Sequence, residues 1–260
     1  MNEYFATPGP TTDLHRFSGS VDDLPSDPVE LAQIVRGLIL HEGSVALHGL
    51  TLPPERMADR GRVGAAAILE GVLGLDAGPL QVERPVERRM VGYCYHFAVL
   101  HCAFLRAKGV PARARCGFAA YFRDGYWIDH WVVEHWSGEE WTLNDPNEGR
   151  DFVSRDEFHD AATAWRLCRA ADGDPSRYGN HVLWGWDELR GSLVNDVGAL
   201  NKVEVPEWDW CDLIDVNPRD LPDAAADLML DSFAGASSFE ELLLAYETER
   251  GLQPPARLFA

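Results

Sequence analysis

Three residues in this chain have types and an order suited to nucleophilic acyl chemistry: Cys94, His130 and Asp145. A cysteine attacks a carbonyl as its thiolate, a histidine takes up and returns the proton, and a carboxylate fixes the imidazole tautomer. Cys94 lies in Val91-Gly92-Tyr93-Cys94-Tyr95-His96-Phe97-Ala98, at or near the first turn of a strongly apolar helical stretch expected from Met90 to Lys108. A sulfur there would meet the positive end of the helix dipole and unpaired N–H groups, which favour a thiolate and could hold an oxyanion on the substrate. Gly92 leaves room for a substrate backbone to come close.

The partners come from a strand pair. In Asp129-His130-Trp131-Val132-Val133-Glu134-His135-Trp136, alternation puts His130, Val132, Glu134 and Trp136 on one face. Pairing Trp136 with Trp141 across the loop Ser137-Gly138-Glu139-Glu140 sets Val132 opposite Asp145 and His130 opposite Asn147. His130 and Asp145 then become diagonal neighbours, near enough for the carboxylate to orient the ring. A register shifted by one residue would send them to opposite faces.

Other elements must carry these segments. Residues 1–26, rich in Pro, Gly, Ser, Thr and Asp, read as an extended arm. Asp27-Pro28 opens an amphipathic helix through Val29, Leu31, Ile34, Val35, Leu38 and Ile39. A second helix is expected around Arg60 to Leu73, with Gly78-Pro79 ending the pattern. The nucleophile helix is closed by Gly109 and Pro111. Strands follow at 113–122, 128–136 and 141–145. Beyond Pro146 the chain turns helical and Trp-rich, with helices expected at 224–233 and 239–250. This is an α+β outline: one buried helix feeding a small antiparallel sheet, with helical flanks. We divide it into the arm (1–26), a helical N-terminal part (27–84), a catalytic core (85–165) and a helical C-terminal region (166–260) packed on the core.

The motifs around these residues resemble the transglutaminase-like superfamily of papain-related thiol enzymes, in the manner of its bacterial members. Gly92-Tyr93-Cys94-Tyr95-His96-Phe97-Ala98 is similar to the family's nucleophile motif, and Leu105-Arg106-Ala107-Lys108-Gly109-Val110-Pro111-Ala112-Arg113 to the stretch that ends its helix. His130, Glu134 and Trp136 match the histidine motif; Trp141 and Asp145 match the aspartate motif. Four blocks in order, over roughly residues 85 to 150, make the resemblance specific. One departure is that Trp131 directly follows His130, where the family often places its tryptophan one residue later, here Val132. The resemblance implies a papain/transglutaminase-like core with Cys94, His130 and Asp145 as catalytic residues. No cofactor is expected, and no acidic loop resembles a calcium site.

Composition limits the partners. The 42 acidic and 23 basic residues give a formal net charge of -19, which disfavours nucleic acid and anionic membranes as partners. Acidic and basic residues balance within 85–150, so the excess lies outside the candidate core. Five scattered cysteines do not form a disulfide framework, and the N-terminus lacks the pattern of a signal peptide, so a cytoplasmic protein is expected. The rival readings are weaker. Cys94, His96, His101 and Cys102 crowd one helix without a zinc-ligand spacing, so no metal is expected; Cys102 and Cys116 read as small apolar core residues, and His96 and His101 as core or surface histidines. Arg88 and Arg89 would bind a substrate carboxylate or pair with acids. Trp184, Trp186, Trp208 and Trp210 would line a pocket or pack the core, and Asp196 would add a polar group to such a pocket. The expectation is an acyl-transferring cysteine enzyme acting on a peptide, protein or small amide, with water or an amine as acceptor. The alternative is a catalytically silent binding module that kept the fold.

Overall fold

The computed structural model describes residues 1–206, 224–249 and 252. They fall into two compact units: one built from Met1–Ala114 and Val132–Val153, the other from Arg115–Trp131 and the residues from Ser154 on.

The first unit is organised around a buried helix. Short helix α1 (Asn2–Phe5) and a 3-10 segment (His15–Val21) occupy the stretch expected as an extended arm, and bury Phe5, Leu14, Val21 and Leu24. Helix α2 (Pro28–Leu38) starts as its sequence signals: Pro28 is the first helical residue, and the Asp27 carboxylate accepts the N–H groups of Val29 and Glu30 at 3.0 Å each. It runs into strand β1 (Ile39–His41). After α3 (Pro54–Met57), α4 spans Ala65–Leu75, beginning later than expected because Gly64, at φ +82°, places the chain outside helical space.

The segment around Cys94 differs from expectation in one respect. Met90–Gly92 form strand β2, paired in parallel with β1 as Ile39↔Met90 through His41↔Gly92, and helix α5 covers Cys94–Ala107. A long-range backbone ladder thus takes three residues that apolar periodicity alone assigns to the helix. Every residue of α5 from Cys94 to Arg106 is buried, and α2 and α4 pack on it. Its end is as expected, with Gly109 at φ +74° and Val110 N–H donating to Leu105 O at 2.9 Å.

Strands β3 (Ala112–Ala119) and β4 (Trp127–Trp136) contribute residues to both units, and β5 is Trp141–Asn144. β4 and β5 are antiparallel in the expected register, Trp136↔Trp141 through Val133↔Asn144. The loop is held by Ser137, whose hydroxyl accepts the Glu139 and Glu140 N–H groups at 3.3 and 3.1 Å.

In the second unit, β6 (Phe158–Asp160) pairs antiparallel with β3, and β7 (Tyr178–Gly179) pairs in parallel with the start of β4. Gly117 of β3 permits the first pairing: a Cβ there would lie 2.3 Å from His159 O and 2.8 Å from Asp160 Cα. Helices α6 (Ala161–Arg169), α7 (Trp186–Leu200), α8 (Ala224–Gly235) and α9 (Phe239–Thr248) enclose an apolar core with Phe118, Trp165, Leu193, Val197, Leu230 and Phe233. The sheet order is β5-β4-β3-β6, with β7 on β4, an α+β architecture with a largely antiparallel sheet. No helix among the described residues is long and apolar enough to cross a membrane.

Candidate active site

Cys94 is the first residue of α5 and is 9% exposed, directly after the Gly92-Tyr93 exit from β2. The first four N–H groups of a helix have no partner within it, so a sulfur at this position sits beside donors able to hold a negatively charged oxygen. The turn is tightly built. Tyr93 N–H donates to His96 Nδ1 at 3.2 Å, and His96 N–H donates to Tyr93 O at 2.8 Å. On the other side, Gly64 N–H donates to Tyr95 Oη at 3.1 Å.

Asp145, also in the first unit, follows β5 and is 1% exposed. Its Oδ1 accepts the N–H groups of Asn147 and Glu148 at 2.9 and 3.0 Å, and its backbone exchanges two hydrogen bonds with Arg150. The carboxylate is therefore anchored by its own turn, a use the strand pattern did not disclose.

His130 lies in the second unit, on β4, two residues before Val132, where that strand enters the first unit. It is 3% exposed, with the Phe122 ring edge-on at 4.8 Å and the Tyr121 ring at 6.1 Å. Phe122 itself is 40% exposed. Further along β4, in the first unit, Glu134 is fully buried and paired with Arg113, whose guanidinium lies 4.2 Å over the Trp141 ring. Trp131 and Val132, the point of departure from the family motif, are both buried.

Several residues weighed as alternatives are placed by their contacts. Arg89 donates to Arg84 O and Arg36 O and pairs with Glu83, while Arg88 reaches Asp76 at 3.3 Å; both are acid-paired. His101 is fully buried with Nε2 3.0 Å from Pro28 O, and burial pushes its imidazole down to about 3. Cys102, Cys116 and Cys168 are buried and outside any disulfide among the described residues, and burial, helped by the charge of Asp174, pushes Cys168 up to about 11. Among the described residues, no group of three or more His, Cys, Asp or Glu is arranged to hold a metal ion. Trp165 packs in the core of the second unit with the Trp186 ring 5.2 Å away; Trp208, Trp210 and Cys211 lie outside the described residues.

Two polar features of the second unit differ from or go beyond the sequence-based expectation. Asp196 grips Arg115 through two 2.8 Å bonds and takes the Cys116 N–H at 3.0 Å, so it ties α7 to β3 and is not an isolated pocket group. Asp129, one residue before His130, receives the Ser192 hydroxyl at 3.5 Å and has the Cys116 thiol at 3.8 Å. Burial pushes both Asp129 and Glu188 well above the usual carboxylate range; the charge of Asp129 adds to the rise at Glu188. Glu188, Ser192 and Asn195 recur at helical spacing on α7 and are all buried. That repeat was the available signal, but its meaning depended on which strand it would face.

Cys94 thus opens a buried helix, His130 lies on β4 and Asp145 directly follows β5. Residues 76–146 match the family model of the transglutaminase-like superfamily. The matched stretch contains Cys94, His130 and Asp145 and is similar to the core of that superfamily. A solved structure from Cytophaga hutchinsonii, assigned provisionally as a cysteine protease, is similar at 19% identity and a TM-score of 0.38, over 62% of this chain and 48% of that one. The chain thus spans about half the length of that protein. No curated protein matches the sequence significantly.

Proposed function

We propose that the protein is a cysteine-dependent acyl transferase or amide hydrolase whose nucleophile is Cys94, with His130 as general base and acid and Asp145 as the residue that orients it. The observation that carries the proposal is the position of Cys94: first residue of the buried helix, inside the segment that matches a superfamily of thiol enzymes. Asp145 supports it, being a buried carboxylate held in one orientation by two backbone N–H groups.

In this reading the Cys94 sulfur attacks the carbonyl carbon of an amide, and the oxyanion forms beside the N-terminal N–H groups of α5. The S–C bond forms, the C–N bond breaks, and the amine leaves with the proton taken up by His130. Water or a second amine then loses a proton to His130 and attacks the thioester. The C–S bond breaks, giving a carboxylic acid or a new amide, and the thiol is restored. The substrate is a peptide, protein or small amide; the protein requires no cofactor for these steps and acts in the cytoplasm.

Iodoacetamide at mildly acidic pH, followed by peptide mass spectrometry, tests the assignment. Cys102, Cys116 and Cys168 are as buried as Cys94 or more so, so rapid labelling of Cys94 with a pH profile of its own reports activation and not simple exposure. Equal, slow labelling of all five cysteines would falsify the proposal and favour a silent binding module. An acyl adduct captured on Cys94 from extract, and absent in Cys94→Ala, would identify the donor.

A further inference from the structure

His96 is a buried imidazole that the proposed chemistry does not use. It is fully buried two residues after Cys94, and its Nδ1 accepts the Tyr93 N–H at 3.2 Å. Because Nδ1 is an acceptor, the ring proton of the neutral form is on Nε2, and the remaining lone pair is already taken. Burial holds the imidazole down at about 4, partly offset by the backbone of Tyr93, Arg62 and Arg60, so the ring is neutral at any ordinary pH. His96 therefore offers Cys94 neither a base nor a positive charge.

What it does offer is geometry. The ring reaches back to the residue before Cys94, while the His96 backbone N–H donates to Tyr93 O at 2.8 Å, so the Tyr93–His96 turn is closed twice around the cysteine. The fit is close. A Cβ on Gly92 would lie 3.0 Å from His96 Cβ and Cγ and 3.2 Å from Nδ1, so the glycine and the ring occupy one space between them. The Tyr93 and Tyr95 rings stand edge-on to it at 4.6 and 5.2 Å. Tyr95 is tied in turn to Gly64, at the start of α4.

We infer that His96 is a positioning residue for the nucleophile: by accepting the Tyr93 N–H at Nδ1 it fixes the backbone on which Cys94 and the neighbouring N–H donors are presented. The inference rests on Cys94 being the nucleophile.

The test compares His96→Asn, which can place an acceptor where Nδ1 stands, with His96→Leu, which fills similar space without one. Iodoacetamide labelling of Cys94 is followed as rate against pH, with Cys102 and Cys168 as internal reporters of an intact fold. The Leu variant is expected to slow Cys94 labelling at pH 6 by about tenfold, the scale of one buried hydrogen bond, and to shift its pH profile. The Asn variant should retain most of the rate. A folded Leu variant with the wild-type rate and profile overturns the inference. Should Leu prevent folding, His96→Gln replaces it, since its acceptor extends to the Nε2 position; equal rates for Gln and Asn again overturn the idea. A wild-type Cys94 that labels no faster than Cys168 overturns the nucleophile assignment itself, whereas a fast wild-type Cys94 indifferent to His96→Leu overturns only the positioning role.

Discussion

The buried histidine His101 should make the first unit acid-labile by an amount that can be worked out beforehand. It is fully buried on α5, donates from Nε2 to Pro28 O at 3.0 Å, and has no partner for Nδ1 among the described residues. Burial, with the nearby His135 adding to it, lowers the folded imidazole from 6.5 to about 3. Between those values the unfolded chain binds the proton and the folded one does not, so stability rises with pH across the interval. Its full contribution is present above pH 6.5 and is lost progressively as pH falls towards 3. At pH 5.0, about 1.5 units below the unfolded value, the loss is about 2 kcal/mol at 1.36 kcal/mol per unit. His96, held at about 4, loses a similar amount by the same route, so the pair removes about 4 kcal/mol from a total that for most domains is about 5–15 kcal/mol.

His101→Leu isolates one share of this effect. The variant forfeits the bond to Pro28 O, about 1 kcal/mol at neutral pH, but no longer has a proton to bind on unfolding. Denaturant unfolding at pH 7.5 and 5.0, read by tryptophan fluorescence, gives both stabilities. The variant's stability relative to wild type should improve by about 2 kcal/mol on going from pH 7.5 to 5.0. Parallel losses in the two proteins would refute the reasoning, as would an NMR titration of wild-type His101 with a midpoint near 6.5.

The second unit yields two more expectations. Asp196→Ala removes both bonds to buried Arg115 and the acceptor for Cys116 N–H; it should cost about 3–5 kcal/mol in denaturant unfolding, and a cost under about 1 kcal/mol would show that Arg115 finds another partner. Glu188 behaves opposite to His101: its carboxyl is raised by burial and by Asp129, so the folded state holds a proton that the unfolded state releases, and stability falls as pH rises. Glu188→Gln should therefore flatten the decline in stability between pH 5 and 8; an unchanged slope would place the titration on another group.

Much of the fold around the candidate site was legible because local signals are strong there. The start of α2 at Asp27-Pro28, the end of α5 at Gly109, and the Trp136↔Trp141 register all follow from turn chemistry and strand alternation. Helical periodicity misassigned Met90–Gly92, since pairing with Ile39–His41 comes from a segment about fifty residues away. The anchoring of Asp145 by Asn147 and Glu148 is local, yet hidden: an aspartate before a proline-containing turn reads equally as a cap or a catalytic group.

By itself, then, the sequence determined the start of α2, the end of α5, the register of β4 on β5 and the place of Cys94 in the opening turn of α5. Each depends on residues close in the chain, where spacing and side-chain type suffice. Only the tertiary structure decided that His96 braces the turn holding Cys94, that Asp196 clasps Arg115, and that Glu188 is buried near Asp129. Those facts depend on which surfaces meet, and a buried polar group takes its state from its neighbours: the same histidine or carboxylate is charged in water and neutral once enclosed.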